Sequence, residues 1–104
     1  MSCTSLKSID IPGSVKRIEN EAFVGCTSLE KVTMADGVES IAYSAFNGCT
    51  ALSDIILPDS ILSIESRAFE NTAYYNDESN WENNVLYINN HLVVKFLLPS
   101  SMKL

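Results

Sequence analysis

Apolar residues recur along the chain in a fixed frame. Leu6, Ile9 and Ile11 stand at the first, fourth and sixth places of a short run, as do Leu29, Val32 and Met34, then Leu52, Ile55 and Leu57. The last half of each run alternates apolar and polar, which predicts a strand with one face inward. Pro12 and Pro58 end two of these runs, because proline cannot donate to a ladder. Turn-forming pairs follow at Gly13-Ser14, Asp36-Gly37 and Asp59-Ser60. A second short extended piece follows, at Val15–Ile18 and its copies Val38–Ile41 and Ile61–Ile64. Ala22-Phe23, Ala45-Phe46 and Ala68-Phe69 then read as about one helical turn, closed by Gly25, Gly48 and Asn71. Those three residue types tolerate the left-handed conformation at a helix end.

Cys3, Cys26 and Cys49 open successive blocks 23 residues apart, without insertion or deletion. Six columns are identical in all three: the cysteines, Thr4/Thr27/Thr50, Leu6/Leu29/Leu52, Ile18/Ile41/Ile64, Ala22/Ala45/Ala68 and Phe23/Phe46/Phe69. A strict period of this size predicts a solenoid, each block a coil that buries its apolar side on its neighbours. The fold class is thus a β-rich α/β solenoid. Its three 23-residue coils, 3–25, 26–48 and 49–71, each consist of strand, short strand and helical turn.

A fourth coil begins and fails. Thr72 stands in the cysteine column, Tyr75 in the leucine column, and Glu78 where an isoleucine would fall. Residues 72–84 read as a degenerate coil and loop, with Trp81 as an apolar anchor pinning the loop to the solenoid's end. Val85–Ile88 and His91–Phe96, separated by Asn89-Asn90, predict a β-hairpin over 85–96 that caps the last coil. Residues 97–104 remain as a tail or linker.

The combination Cys-Thr-x-Leu-x-x-Ile-x-Ile-Pro-x-x-Val-x-x-Ile-x-x-x-Ala-Phe-x-Gly resembles the BspA-like leucine-rich repeat, over residues 3–71. The asparagine of the common leucine-rich repeat is absent; Ser14, Gly37 and Ser60 occupy its place. The stretch Ala73-Tyr-Tyr-Asn, Trp81 and Leu86-Tyr-Ile is similar to the joint that closes one run of such repeats. This resemblance implies a bacterial cell-surface or secreted protein that adheres to host proteins or other cells through a long array.

Composition narrows the partners. A net charge of −6 disfavours nucleic acid and anionic membrane surfaces, both of which select clustered Lys and Arg. No apolar run reaches the roughly 18 residues of a membrane span, so no membrane insertion is expected. The first ten residues lack the pattern of a signal peptide, and Met1, two residues before a coil, reads as a cloning start. Three cysteines in one column read as small, buried, reduced corner residues, although stacked neighbours are close enough for a bridge.

Nothing in the sequence assembles a catalytic site. His91, the only histidine, lies far along the chain from those cysteines, and no phosphate loop or metal-ligand spacing occurs. Residues 76–84 are rich in carboxylates and amides but lack the glycine-hinged alternation of a calcium loop. The expectation is a non-enzyme without cofactor or metal.

Protein binding is the leading expectation, and a passive spacer or stalk the alternative. The candidate binding face comprises the outward strand positions Ser8, Asp10, Lys31, Thr33, Asp54 and Ile56. Its partner would be an extracellular-matrix or cell-surface protein. Three coils at about 4.8 Å each form a strip roughly 15 Å wide, well short of the about 800 Å² per partner of a stable interface. The open edge at residues 6–11 is expected to pair with another strand, edge-to-edge self-association of the chain included. Opposite charges stack at Lys7 over Glu30, Lys31 over Asp54 and Lys16 over Glu39, which should aid register.

Overall fold

The computed structural model describes residues 4–82, 85–88 and 91–95. Two parallel three-stranded ladders run through it. The first joins β1 (Ser8–Ile11), β3 (Lys31–Met34) and β5 (Asp54–Ile56). The second joins β2 (Arg17–Ile18), β4 (Ser40–Ile41) and β6 (Ser63–Ile64). Every pairing is between column-mates, such as Ile9 with Val32 with Ile55 and Ile18 with Ile41 with Ile64. The 23-residue period is therefore a register: each block sits over the next with equivalent side chains in line. Identical columns follow because all three copies meet nearly the same surroundings.

The phenylalanine column shows that alignment most directly. Ring centroids of Phe23 and Phe46 lie 5.1 Å apart, those of Phe46 and Phe69 5.2 Å, with planes within 5° and 1° of parallel. Leu29, Val32, Val38, Ile41, Ala45, Phe46 and Leu52 are fully buried in the same core. The first block differs from the second because nothing described lies over it. Ile9, Val15 and Phe23 are only half-buried and Ala22 is exposed, whereas their column-mates Val32, Val38, Phe46 and Ala45 are sealed.

The helical turns expected near each Ala-Phe pair do not form. A third ladder takes their place. Glu21, Phe23 and Gly25 donate their N–H groups to the carbonyls of Tyr43, Ala45 and Asn47 in the next block, at 3.0, 2.7 and 2.9 Å. The alternate residues Ala22, Val24 and Cys26 donate back three residues along the chain, to Glu19, Glu21 and Phe23. Ser44, Phe46 and Gly48 repeat the outward bonds one block on, to Ser66, Ala68 and Glu70. A helix would point all these donors along its own axis and not alternately toward the next block. Here the chain reverses hand twice per block, with positive φ at Gly25, Gly48 and Asn71 and also at Glu21, Ser44 and Arg67.

The column of Glu21, Ser44 and Arg67 holds no glycine, and an L-residue there is strained by about 1–2 kcal/mol. Glu21 is exposed and its φ is 58°. Glu21→Gly is expected to stabilise the chain by about 0.5 kcal/mol, since glycine's greater unfolded-state freedom offsets part of the relief. Urea unfolding would measure it; a loss of stability would show that the side chain outweighs the strain.

The C-terminal part is more ordered than a plain loop. α1 (Ala73–Asn76) is capped by Thr72, whose Oγ1 accepts from the Tyr75 N–H at 3.0 Å and donates to the Phe69 carbonyl at 2.8 Å. The threonine thus performs a capping task in the column where the earlier blocks carry cysteine. A 3₁₀ turn at Glu78–Asn80 follows, capped by Asp77, and leads into β7 (Trp81–Glu82). The two Ser79 hydrogen bonds to the Asp77 carboxylate, from its hydroxyl and its N–H, hold that acid below its ordinary pKa.

β7, β8 (Val85–Ile88) and β9 (His91–Lys95) make an antiparallel sheet with a bulge at Leu86/Tyr87. The two runs on either side of Asn89-Asn90 do pair. The turn itself, Phe96, residues 97–104 and the His91 side chain lie outside the described residues. Trp81 corrects the sequence expectation. Its ring meets Tyr75 edge-on at 5.2 Å, and its Nε1–H donates to the Tyr75 carbonyl at 2.7 Å. With Leu86 these residues form a second small core, so the indole pins β7 to α1 instead of to the stacked blocks. Tyr74 packs on both cores, and Ile88 is buried in the main one.

The cysteine column also departs from three equivalent thiols. Cys26 is disulfide-bonded, Cys49 is free and buried, and Cys3 lies outside the described residues. In-register parallel stacking brings column-mates within the Cα separation that a disulfide spans, so identical environments need not mean identical chemistry. The Cys49 thiol donates to the Phe23 carbonyl at 3.0 Å, and burial pushes its pKa up, against a weaker opposing backbone hydrogen bond from Cys26. A raised thiol pKa leaves less thiolate at neutral pH. Cys49 is expected to react with an aromatic disulfide reagent at least about tenfold more slowly in the native chain than in denaturant. Equal rates would show that the site opens.

Candidate protein-binding face

Alternation along the first ladder decides what faces outward. Ile11, Val32, Met34 and Ile55 turn into the core, which leaves Ser8 and Asp10, Lys31 and Thr33, Asp54 and Ile56 on the opposite side. Register then sets them in two columns, Ser8–Lys31–Asp54 and Asp10–Thr33–Ile56. All six candidate residues therefore share one small face, and five are exposed, with Thr33 half-buried.

Their mutual contacts are modest. The Thr33 hydroxyl donates to the Asp10 carboxylate, and Lys31 Nζ lies 4.0 Å from Asp54 Oδ2, with both side chains more than half exposed. Water competes fully with pairs of this kind, so they are worth about 0–1 kcal/mol. Of the three stacked pairs expected from the sequence, only Lys31–Asp54 comes within ion-pair distance among the described residues. Ile56, 45% exposed, is the apolar member of the face.

The second ladder carries features that the residue pattern did not single out. Arg17 donates to Glu19 at 3.2 Å and to Glu65, two blocks away, at 3.4 Å; the other Glu65 oxygen accepts the Tyr43 N–H at 3.2 Å. The Glu19 hydrogen bond is the main cause raising the Arg17 pKa above its ordinary value. Leu62, 81% exposed, occupies the column of Lys16 and Glu39. That switch from charge to a large apolar group was the available signal. Beside α1, a polar cleft of about 550 Å³ is lined by Tyr74, Ser79, Asn80, Glu82 and Tyr87. Its lining offers hydroxyl, amide and carboxylate groups for hydrogen bonding.

The turn after β5 shows a serine at work in the place of the missing asparagine. The Ser60 hydroxyl accepts the Gly37 N–H at 2.8 Å and donates to the Val38 carbonyl at 2.7 Å. One serine thus links its own block to the turn before it. Among the described residues no group of three or more Cys, His, Asp or Glu could hold a metal ion, and no helix is long and apolar enough to cross a membrane.

Parallel in-register strands, a 23-residue repeat and an aligned phenylalanine column define a leucine-rich repeat protein. The family model described as "BspA type Leucine rich repeat region (6 copies)" matches residues 1–98, and the chain belongs to that family. Searches of curated proteins and of solved structures found no match. Leucine-rich repeats of this type form repeat domains of surface proteins, and the repeat is in general a non-catalytic protein-interaction module.

Proposed function

We propose that this chain is a protein-binding segment of a larger cell-surface or secreted protein that adheres to host proteins or to other cells. In this reading residues 3–71 form a short three-coil solenoid, and the sheet after residue 72 closes its far end, with Ile88 set into the core as the plug. The binding face is the outward side of the first ladder, through Ser8, Asp10, Lys31, Thr33, Asp54 and Ile56. The observation that carries it is the contrast across that ladder: inward columns keep one chemistry while outward columns change theirs at every step. Packing explains the first, and only something outside the chain would make use of the second.

Size limits the strength. A face three strands wide falls short of the about 800 Å² per partner of a stable complex, so the segment alone binds weakly. The test is binding of the whole chain, displayed in many copies, to a panel of extracellular-matrix and cell-surface proteins. Ile56→Asp and Lys31→Glu together are expected to weaken capture at least about tenfold, roughly the 1.4 kcal/mol expected from removing one good contact. A second reading, a spacer without a ligand, draws support from the way Thr33 and Asp10, and Lys31 and Asp54, satisfy one another. Capture unchanged by the double substitution would favour the spacer.

A further inference from the structure

We infer that the polar cleft beside α1 receives a guanidinium group, the head of an arginine side chain presented by a partner protein. Its walls come from one short stretch: Tyr74 on α1, Ser79 and Asn80 on the 3₁₀ turn, Glu82 on β7 and Tyr87 on β8. The small core of Tyr75, Trp81 and Leu86 holds these elements together, so the shape of the cleft is set within this module and not by the ends of the stack. The site is separate from the outward face of the first ladder and serves whether or not that face binds.

Hydrogen bonding inside the chain selects the ligand. The Tyr74 hydroxyl donates to the Tyr87 carbonyl at 2.7 Å, the Ser79 hydroxyl to the Asp77 carboxylate at 2.7 Å, and the Asn80 amide nitrogen to the Tyr74 carbonyl at 3.0 Å. Carbonyls and an ionised carboxylate can only accept, so the direction of all three bonds is fixed. The hydroxyls of Tyr74 and Ser79 have thus spent their single protons and have only lone pairs left to offer. The Asn80 side-chain oxygen and the Glu82 carboxylate add further acceptors, and nothing among the described residues pairs with Glu82. One Asn80 amide hydrogen and the Tyr87 hydroxyl are the side-chain donors that remain. Such a lining suits a ligand that donates several times and accepts little. An anion meets no cation among these five residues, and a sugar, whose hydroxyls must also accept, meets too few donors. A guanidinium carries five N–H donors in one plane and no acceptor, and its charge answers Glu82. Its flat face also matches the Tyr87 ring, 45% exposed, since cations stack on aromatic faces. An ammonium concentrates its three donors at one point and reaches fewer of these spread acceptors.

The test titrates the whole chain with the peptide acetyl-Gly-Arg-Gly-amide at constant ionic strength and follows the backbone amide chemical shifts. A saturable change centred on Ser79, Asn80, Glu82 and Tyr87 is expected, with a Kd on the order of 1–10 mM for one side chain in an open cleft. Glu82→Gln should weaken binding about fivefold, the upper end of what an exposed ion pair contributes. Glu82 is exposed, so this variant keeps the fold. The same peptide with citrulline for arginine keeps the shape without the charge and should bind at least about fivefold more weakly. The lysine peptide should also bind more weakly. The absence of a saturable change up to about 50 mM overturns the inference. So does equal binding of the citrulline or the lysine peptide, or an affinity indifferent to Glu82→Gln. Saturable shifts of the same amides by a neutral disaccharide would assign the cleft to a sugar and overturn it as well.

Discussion

Phe46→Ala is expected to cost about 3–5 kcal/mol of folding stability, the range for deleting a buried aromatic ring. Few single changes in this chain should cost more. The ring is fully buried between Phe23 and Phe69, at 5.1 and 5.2 Å from their centroids. Collapse into the space left behind is restricted on two sides. The Phe46 N–H is tied to the Ala68 carbonyl at 2.8 Å, and the Phe23 N–H to the Ala45 carbonyl at 2.7 Å, so the spacing of blocks is set by backbone and not by the ring. A cavity that cannot relax keeps its full penalty. Phe23→Ala should cost about half as much, because that ring is already half-buried with one side uncovered. Guanidinium unfolding of both variants would test the pair. A cost below about 1 kcal/mol for Phe46→Ala, within the range of ordinary surface changes, would mean that the stacked column is not the centre of the core.

Gly37→Ala is expected to destabilise by about 3 kcal/mol or more, and for two separate reasons. Its φ of 118° lies where side chains are strained, and a Cβ there would stand 2.5 Å from the Gly13 carbonyl oxygen. The approach is mutual: a Cβ on Gly13 would lie 2.1 Å from the Asp36 oxygen. Two turns of successive blocks therefore touch backbone to backbone, and neither can yield by rotating a side chain. Gly48→Ala is the control. Its φ of 84° carries the conformational cost, but the nearest atom, the Gly25 nitrogen, is 3.4 Å away. That variant should lose only about 1–2 kcal/mol. Equal losses at the two positions would assign the effect to φ alone and remove the close contact from the account.

How far these features could be read beforehand depended on where their cause lies. The stacked Phe column was legible because in-register packing imposes one environment on Phe23, Phe46 and Phe69, and repetition records it. The outward face was legible from simple alternation, since strand side chains turn in and out by rule. The left-handed conformation at Glu21, Ser44 and Arg67 was not, because none of those residue types marks it. It arises from alternate N–H groups reaching the next block, a requirement no local pattern states. Trp81 was read as an anchor on the repeats, yet its partners are Tyr75 and Leu86. Polar neighbours on both sides of the indole hid the strand that its burial creates.

The chain by itself determined a repeat of 23 residues, which residues turn inward, where each first strand stops and which family the pattern belongs to. These are consequences of periodicity, and periodicity is written residue by residue. Only the tertiary structure decided that a third ladder replaces the expected helical turns, that one cysteine is bonded while its column-mate Cys49 stays a thiol, and that Phe46 and Phe69 are buried while Phe23 is only half so. Each of those depends on what a block finds above or below it, and identical sequence cannot tell a covered copy from an uncovered one.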